Sequence, residues 1–182
     1  MSENAFILLF RGINVGGNKI VKMETLRKVL AEAGFGGVAT YIQSGNVVLT
    51  SDKDEKAVIA GVEKVFDKTF GFSSRPTIRS LKAWRRIVKG NPFVDVAQEG
   101  RQLHAVLLDA APGKEAVATL KSLAASEQIE VKDGVLYLYT PDGFGASEVA
   151  KGLDKVLKVP LTARNWNTVL KLQEMAEKLA QG

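Results

Sequence analysis

The sequence predicts an α+β fold built as a tandem pair of ferredoxin-like (βαββαβ) units, each followed by an extra helix. Three observations predict it. The order of β-rich and helix-periodic stretches in the first half recurs in the second. In both halves a turn signal separates two adjacent β-rich runs, Gln43-Ser44-Gly45 in the first and Asp133-Gly134 in the second. The final β-rich runs also align, Thr77-Ile78-Arg79 with Thr162-Ala163-Arg164, and each leads into a helix carrying Trp84 or Trp166. The units are expected at 1–91 and 92–182, joined in one globule. The competing reading is a single α+β sheet whose repeated order is coincidental.

Each element has a local reason. Residues 5–11 are a mostly apolar run that reads as a buried strand, and Met23, Leu26, Val29, Leu30 and Ala33 recur at helical spacing over 23–33. Gly34 then Phe35 form a helix C-terminal cap with its apolar contact. Strands follow at 38–42 and 46–50 around the tight Gln43-Ser44-Gly45 turn. Asp52 followed by Glu55 is a weak capping-box variant that opens a helix to about Phe70, with Val58, Val62, Val65 and Phe66 inward and Gly71 as its stop. A short strand at 75–80 ends on Ser80, which caps a basic helix over 81–89 that Gly90-Asn91-Pro92 closes. In the second half the order is strand 103–109, helix 112–123, a hairpin of 129–132 and 135–140, helix 147–157, strand 161–164 and a last helix from an Asn165 cap to about Leu179.

Composition limits the chemistry. The 182 residues are 46% hydrophobic and 25% charged, ordinary for one globular domain or two very small ones. The absence of cysteine excludes disulfides, a thiol nucleophile, iron-sulfur clusters and Cys-type zinc sites, and a lone His104 cannot build a multi-histidine site. No metal and no cofactor is therefore expected. His104 lies in an apolar strand and reads as a satisfied core or interface histidine. Met1-Ser2-Glu3-Asn4 has no basic n-region and precedes only a short apolar run, so neither a signal peptide nor a membrane span is expected, and the location should be cytoplasmic.

The net charge of +5 is unevenly spread. Residues 1–91 carry 15 Lys and Arg against 8 Asp and Glu, whereas the remainder carries 10 against 12. From Lys68 to Val94 there is no acid, while Lys68, Arg75, Arg79, Lys82, Arg85, Arg86 and Lys89 are cationic. Such a run attracts phosphates or acidic surfaces, or is simply a solvated helix face. No aromatic RNA-binding motif accompanies it.

Three polar stretches stand out. Arg11-Gly12-Ile13-Asn14-Val15-Gly16-Gly17-Asn18-Lys19 is long for a strand-to-helix connection, where about 2 to 6 residues is usual. Gly16 and Gly17 permit close backbone approach to an anion, with Lys19 and Lys22 adding charge, although the segment is neither a P-loop nor a dinucleotide fingerprint. The same glycines and Asn14 can equally serve to shape a strand exit. The second stretch is Thr40-Tyr41-Ile42-Gln43-Ser44-Gly45-Asn46, a hairpin tip in which turn chemistry explains all but Gln43. In the predicted topology it lies beside the first loop. The third, Thr162-Ala163-Arg164-Asn165-Trp166-Asn167-Thr168, joins the last strand to the last helix, and Trp166 is read there as core.

Together, Arg11-Gly12-Ile13-Asn14-Val15-Gly16-Gly17, Thr40-Tyr41-Ile42-Gln43-Ser44-Gly45-Asn46-Val47 and Thr162-Ala163-Arg164-Asn165-Trp166-Asn167-Thr168-Val169 resemble a bacterial family, domain of unknown function 1697, in this order and over nearly the whole chain. The resemblance implies a small soluble bacterial α+β protein and transfers no activity. The roles that follow are read from the residues themselves.

None of the three stretches contains Asp, Glu, His or Cys, the usual acid-base groups near neutral pH. Planar amides and guanidinium groups recognise bases, carboxylates and phosphates without chemistry. The expectation is therefore non-catalytic binding of an anionic small molecule, a nucleotide or a nucleic acid. Arg11 and Arg164 would pair with its oxygens, Asn14, Gln43, Ser44, Asn46 and Asn167 would orient it, and Gly16 and Gly17 would let the backbone approach. Arg75, Arg79, Lys82, Arg85, Arg86 and Lys89 would form a basic patch. An enzyme acting on a phosphorylated or nucleotide substrate through Ser44, Tyr41 or Lys19 is one alternative, and a protein-interaction module using the basic helix is another. No membrane partner is expected.

Overall fold

A computed structural model describes residues 4–182, so the expectation drawn from Met1-Ser2-Glu3 lies outside the described residues. Two four-stranded antiparallel sheets and six α-helices form among them, an α+β architecture. The chain divides into two compact units, one of residues up to Arg86 together with Lys171–Gly182, the other Ile87–Leu170. Both divisions fall inside helices: the first lies five residues before the expected 91/92 boundary, whereas the second, at Leu170/Lys171, groups residues 171–182 with the first unit rather than with the second.

Unit 1 runs β1 (Asn4–Leu9), α1 (Met23–Glu32), β2 (Gly36–Tyr41), β3 (Asn46–Ser51), α2 (Glu55–Phe70), β4 (Thr77–Ser80) and the start of α3 (Leu81–Gly90), with strand order β2-β3-β1-β4. Alternation on β1 sends Phe6 and Leu8 into a core with Met23, Leu26 and Leu30 of α1 and Val58, Val62 and Phe66 of α2. Phe10 joins that cluster, its ring stacked on Phe66 with centroids 5.0 Å apart. Ile7, Leu9 and Val48 are fully buried as well, so both faces of this sheet are apolar, which is why β1 reads as a continuous hydrophobic run.

The caps follow local chemistry. α1 ends in a Schellman motif: Gly34, at φ 95°, donates its N–H to Ala31 and Phe35 donates to Leu30. The α2 cap differs from the sequence expectation of Asp52 with Glu55. Asp54 accepts from the Ala57 N–H at 2.8 Å, and the Glu55 carboxylate instead accepts from the Ser80 N–H at 3.0 Å, so it serves β4 rather than a capping box. Ser80 caps α3 through the Ala83 N–H at 3.2 Å.

Unit 2 runs β5 (Leu103–Leu108), α4 (Lys114–Ser122), β6 (Gln128–Lys132), β7 (Val135–Tyr139), α5 (Glu148–Leu157), β8 (Leu161–Asn165) and the start of α6 (Trp166–Gln181), with strand order β6-β7-β5-β8. Asp133 and Gly134 turn the β6–β7 hairpin at φ 51° and 76°, the type I′ geometry that their sequence predicts. Val106, Leu108, Leu136 and Leu138 pack against Leu120 of α4 and Val149, Leu153 and Leu157 of α5. Ser147 caps α5, accepting from the Ala150 N–H at 3.2 Å.

His104 is buried, as expected, but it is not satisfied. Its ring lies 4.1 Å from that of Phe144, and its Nδ1 has no hydrogen-bond partner among the described residues. Burial alone lowers its pKa from 6.5 to about 4, so it is a neutral imidazole at pH 7.

Candidate ligand-binding edge

Register places the first two polar stretches at one end of the unit 1 sheet. Leu9, at the end of β1, pairs with Asn46 at the start of β3 and with Thr77 at the start of β4, and Asn46 in turn faces Tyr41 at the end of β2. The connections leaving that end are therefore 10–22, 42–45 and 71–76.

The first connection is itself a small hairpin. The Asn18 N–H donates to the Val15 carbonyl and the Asn14 N–H to the Lys19 carbonyl, both at 3.1 Å, around a Gly16-Gly17 turn with φ 61° and 76°. Two successive left-handed residues are what a type I′ turn demands, so this turn uses both glycines.

Asn14 ties the hairpin down. Its Oδ1 accepts from the Val21 N–H at 2.7 Å, while its Nδ2 donates to the Val21 carbonyl at 2.9 Å and to the Gln43 carbonyl at 2.8 Å. The second tie is backbone, Phe10 N–H to the Gly45 carbonyl at 2.8 Å. Asn46, fully buried, donates Nδ2 to the Tyr41 carbonyl at 3.0 Å and to Ser44 Oγ at 2.9 Å. Of the amide and hydroxyl groups read as ligand contacts, Asn14 thus braces the two loops against each other, while Asn46 and Ser44 brace the hairpin internally. Asn14→Ala should keep the fold and lower stability by about 2 kcal/mol, because backbone groups at Val21 and Gln43 lose their partners. Urea unfolding checks this, and an unchanged midpoint would mean the brace is not formed.

What the braced end presents to solvent is cationic. Arg11 is exposed, its carbonyl accepting from the buried Ser74 Oγ at 3.2 Å. Lys19 extends its Nζ over the Phe72 ring, 5.6 Å from the centroid, and Lys22 and Gln43 are exposed. Residues 10–22 and 41–46 contain no acid.

The basic patch is less uniform than its sequence. Arg75 pairs with Glu63 at 3.6 Å and Arg85 with Glu177 at 3.0 Å, exposed ion pairs that partly offset the acid-free run. Arg79 is half-buried and donates Nη1 to the Ile78 carbonyl at 2.7 Å. Lys82, Arg86 and Lys89 are exposed at i, i+4 and i+7 of α3, one helical face.

In unit 2, Arg164 pairs across from Ala105 on β8 and donates Nη1 to the Ala163 carbonyl at 3.0 Å. Burial lowers its pKa to about 10, so it stays cationic at pH 7. Asn165 caps α6 by accepting the Asn167 N–H at 2.8 Å, as its position predicts. Asn167 lies against Gly100, where a Cβ would come within 2.1 Å of its Oδ1, so its side chain has a packing role. Trp166 is buried.

Sequence reasoning did not single out Val15, Ile20 and Ile42. They are 67%, 58% and 53% exposed, the most exposed large hydrophobic residues among those described. The available signal was an isolated apolar residue amid glycine, asparagine and lysine. Among the described residues no group of three or more His, Cys, Asp or Glu could hold a metal ion, and no helix is long and apolar enough to cross a membrane.

A search of curated proteins finds no match. Among solved structures, the chain is similar to the conserved bacterial protein SP0830 from Streptococcus pneumoniae, at 25% identity and a TM-score of 0.72, over 96% of this chain and 99% of that one. A family profile matches residues 4–137, a span that holds both braced loops and leaves the 162–168 stretch outside. On that match the chain belongs to the family described as protein of unknown function, DUF1697.

Proposed function

We propose that this protein binds an anionic ligand, a nucleotide or a nucleic acid, without catalysis at the end of unit 1 formed by the β1–α1 loop and the β2–β3 hairpin. The observation that carries the reading is the Asn14 Nδ2 bond to the Gln43 carbonyl at 2.8 Å, which joins two acid-free segments into one platform. Arg11, Lys19 and Lys22 then project from a braced backbone, which lowers the ordering cost of binding. α3, with Lys82, Arg86 and Lys89 on one face, adds longer-range attraction. The enzymatic alternative gains little, since Ser44 Oγ accepts from Asn46, an amide that supplies no base.

The matching strand orders β2-β3-β1-β4 and β6-β7-β5-β8 support reading each unit as ferredoxin-like and the pair as a tandem duplication. A cytoplasmic location goes with this reading. A panel of nucleotides and short RNA and DNA, in thermal-shift and salt-titration assays, tests the function. Binding should weaken with salt and fall at least about tenfold in Arg11→Ala with Gln43→Ala, since hydrogen bonds to charged groups contribute about 1.5–3 kcal/mol each. No shift with any member, or binding indifferent to the double variant, refutes it.

A further inference from the structure

We infer that the ligand of this edge is single-stranded nucleic acid, held by its phosphates and by apolar contact with its unpaired bases. The inference rests on the anion-binding reading above and narrows it. Val15, Ile20 and Ile42 are chain neighbours of the three residues that the Asn14 side chain joins or belongs to, Asn14 itself, Val21 and Gln43. One knot of hydrogen bonds therefore carries the three most exposed large hydrophobic side chains of the described chain, at 67%, 58% and 53%.

Such clustering runs against the usual burial of aliphatic groups. Scattered surface hydrophobics need no explanation, but a group on a braced, cationic tip does. Small ligands bind in concave sites that bury most of their surface, so side chains this exposed point to a macromolecule rather than a free nucleotide.

Ile42 adds an independent observation. Its φ is 51°, the left-handed region that β-branched residues avoid, and it sits in a hairpin where Asn or Gly would relieve the strain. Among the described residues, five non-glycine residues have positive φ; three (Asn14, Lys19 and Ile42) lie at this edge, whereas Asp133 sits in a type I′ turn and Lys158 caps a helix. A strained, solvent-facing isoleucine costs local stability, and such strain clusters at binding sites.

Charge selects the partner. Arg11, Lys19 and Lys22 rim the apolar tip with no acid in either loop, and the acid-free run from Lys68 to Val94 continues on the same unit up to Arg86. A polyanion that also offers apolar faces matches both features. Single strands do so because their bases are unstacked and accessible, whereas a duplex shows the tip chiefly phosphate.

Fluorescence anisotropy of a labelled dT10 strand, its duplex with dA10, and a labelled ATP analogue tests the inference. Ile42→Asn should raise or hold Tm, by relieving the strain, and weaken dT10 binding about tenfold, the scale of one lost base contact. Val15→Ser should weaken it comparably, with the salt slope of both variants unchanged. Arg11→Ala should reduce that slope by about one. Equal affinity for the duplex, or dT10 affinity unaltered in Ile42→Asn and Val15→Ser, overturns the inference. If ATP binds and responds to Arg11→Ala while dT10 does not bind more tightly, the anion-binding reading stands and this one fails. If neither probe binds, both fail. If an acidic, apolar peptide competes where dT10 does not, the partner is a protein.

Discussion

Gly45→Val should lower folding stability by about 4 kcal/mol, combining left-handed strain of about 1–2 kcal/mol with overpacking of about 1–3 kcal/mol. Gly45 has a φ of 86°, and a Cβ on it would lie 2.7 Å from Phe10 Cβ and 2.8 Å from Ile13 Cδ1. Phe10 Cβ cannot swing aside, because its ring is stacked on Phe66 within the core and its N–H is bonded to the Gly45 carbonyl. A loss of that size is a large part of the total stability of a small protein, typically about 5–15 kcal/mol. Gly16 supplies the control. It also has a positive φ, 61°, but a Cβ there meets nothing within 4 Å, so Gly16→Ala should cost only the conformational strain, about 1 kcal/mol. Urea unfolding of Gly45→Val, Gly45→Ala and Gly16→Ala separates strain from collision. Equal midpoints for Gly45→Ala and Gly16→Ala would mean that the hairpin does not press on the first loop.

The second large effect is acid sensitivity from His104. Its folded pKa is about 4 against 6.5 for the ordinary group, with burial as the cause. Between those values the unfolded chain binds more protons than the folded one, so stability rises with pH across the window. It is complete above about pH 6.5 and falls as pH drops toward 4, by about 3 kcal/mol at most. Its Nδ1 lacks a partner among the described residues, so no hydrogen bond is sacrificed when the ring is replaced there. His104→Leu should flatten the pH dependence between 4 and 6.5 and lose little stability at pH 7. Glu127, whose pKa is lowered chiefly by the Ser147 hydroxyl bond, then accounts for part of the remaining acid loss at lower pH. A wild-type slope that survives in His104→Leu would place the sensitivity elsewhere.

Much of the architecture was legible because its causes are local. The Asp133-Gly134 turn, the Gly34-Phe35 Schellman ending and the Ser80 and Asn165 caps each depend on a few adjacent residues, and the structure realises them. The two-sided burial of β1 was readable in the same way, from the run Phe6 to Phe10. The Asp54 cap escaped because the choice between Asp52 and Asp54 depends on Glu55 bonding Ser80, 25 residues away. The unsatisfied state of His104 depends on which polar groups approach it across the fold, which no local pattern encodes.

The edge divides along the same line. The sequence topology brought the first loop and first hairpin together, and hydrogen bonds from Asn14 and Phe10 join them. It could not distinguish amides that face a ligand from amides that brace the loops. Asn14 and Asn46 have the same chemistry as Gln43, and only the folded turns show their partners, Val21 and the distant Gln43 for one and Tyr41 for the other. For the same reason the exposure of Val15, Ile20 and Ile42 was not legible in the sequence: it follows from the knot beside them.

The most direct test of a binding edge in unit 1 is residue-resolved. Titrating the 15N-labelled protein with dT10 at low salt and following backbone amide shifts by NMR should perturb 11–22 and 42–44 first, with weaker changes along Lys82–Lys89 that vanish as salt rises. Shifts confined to α3, or none at all with dT10, RNA or nucleotides, would contradict the account.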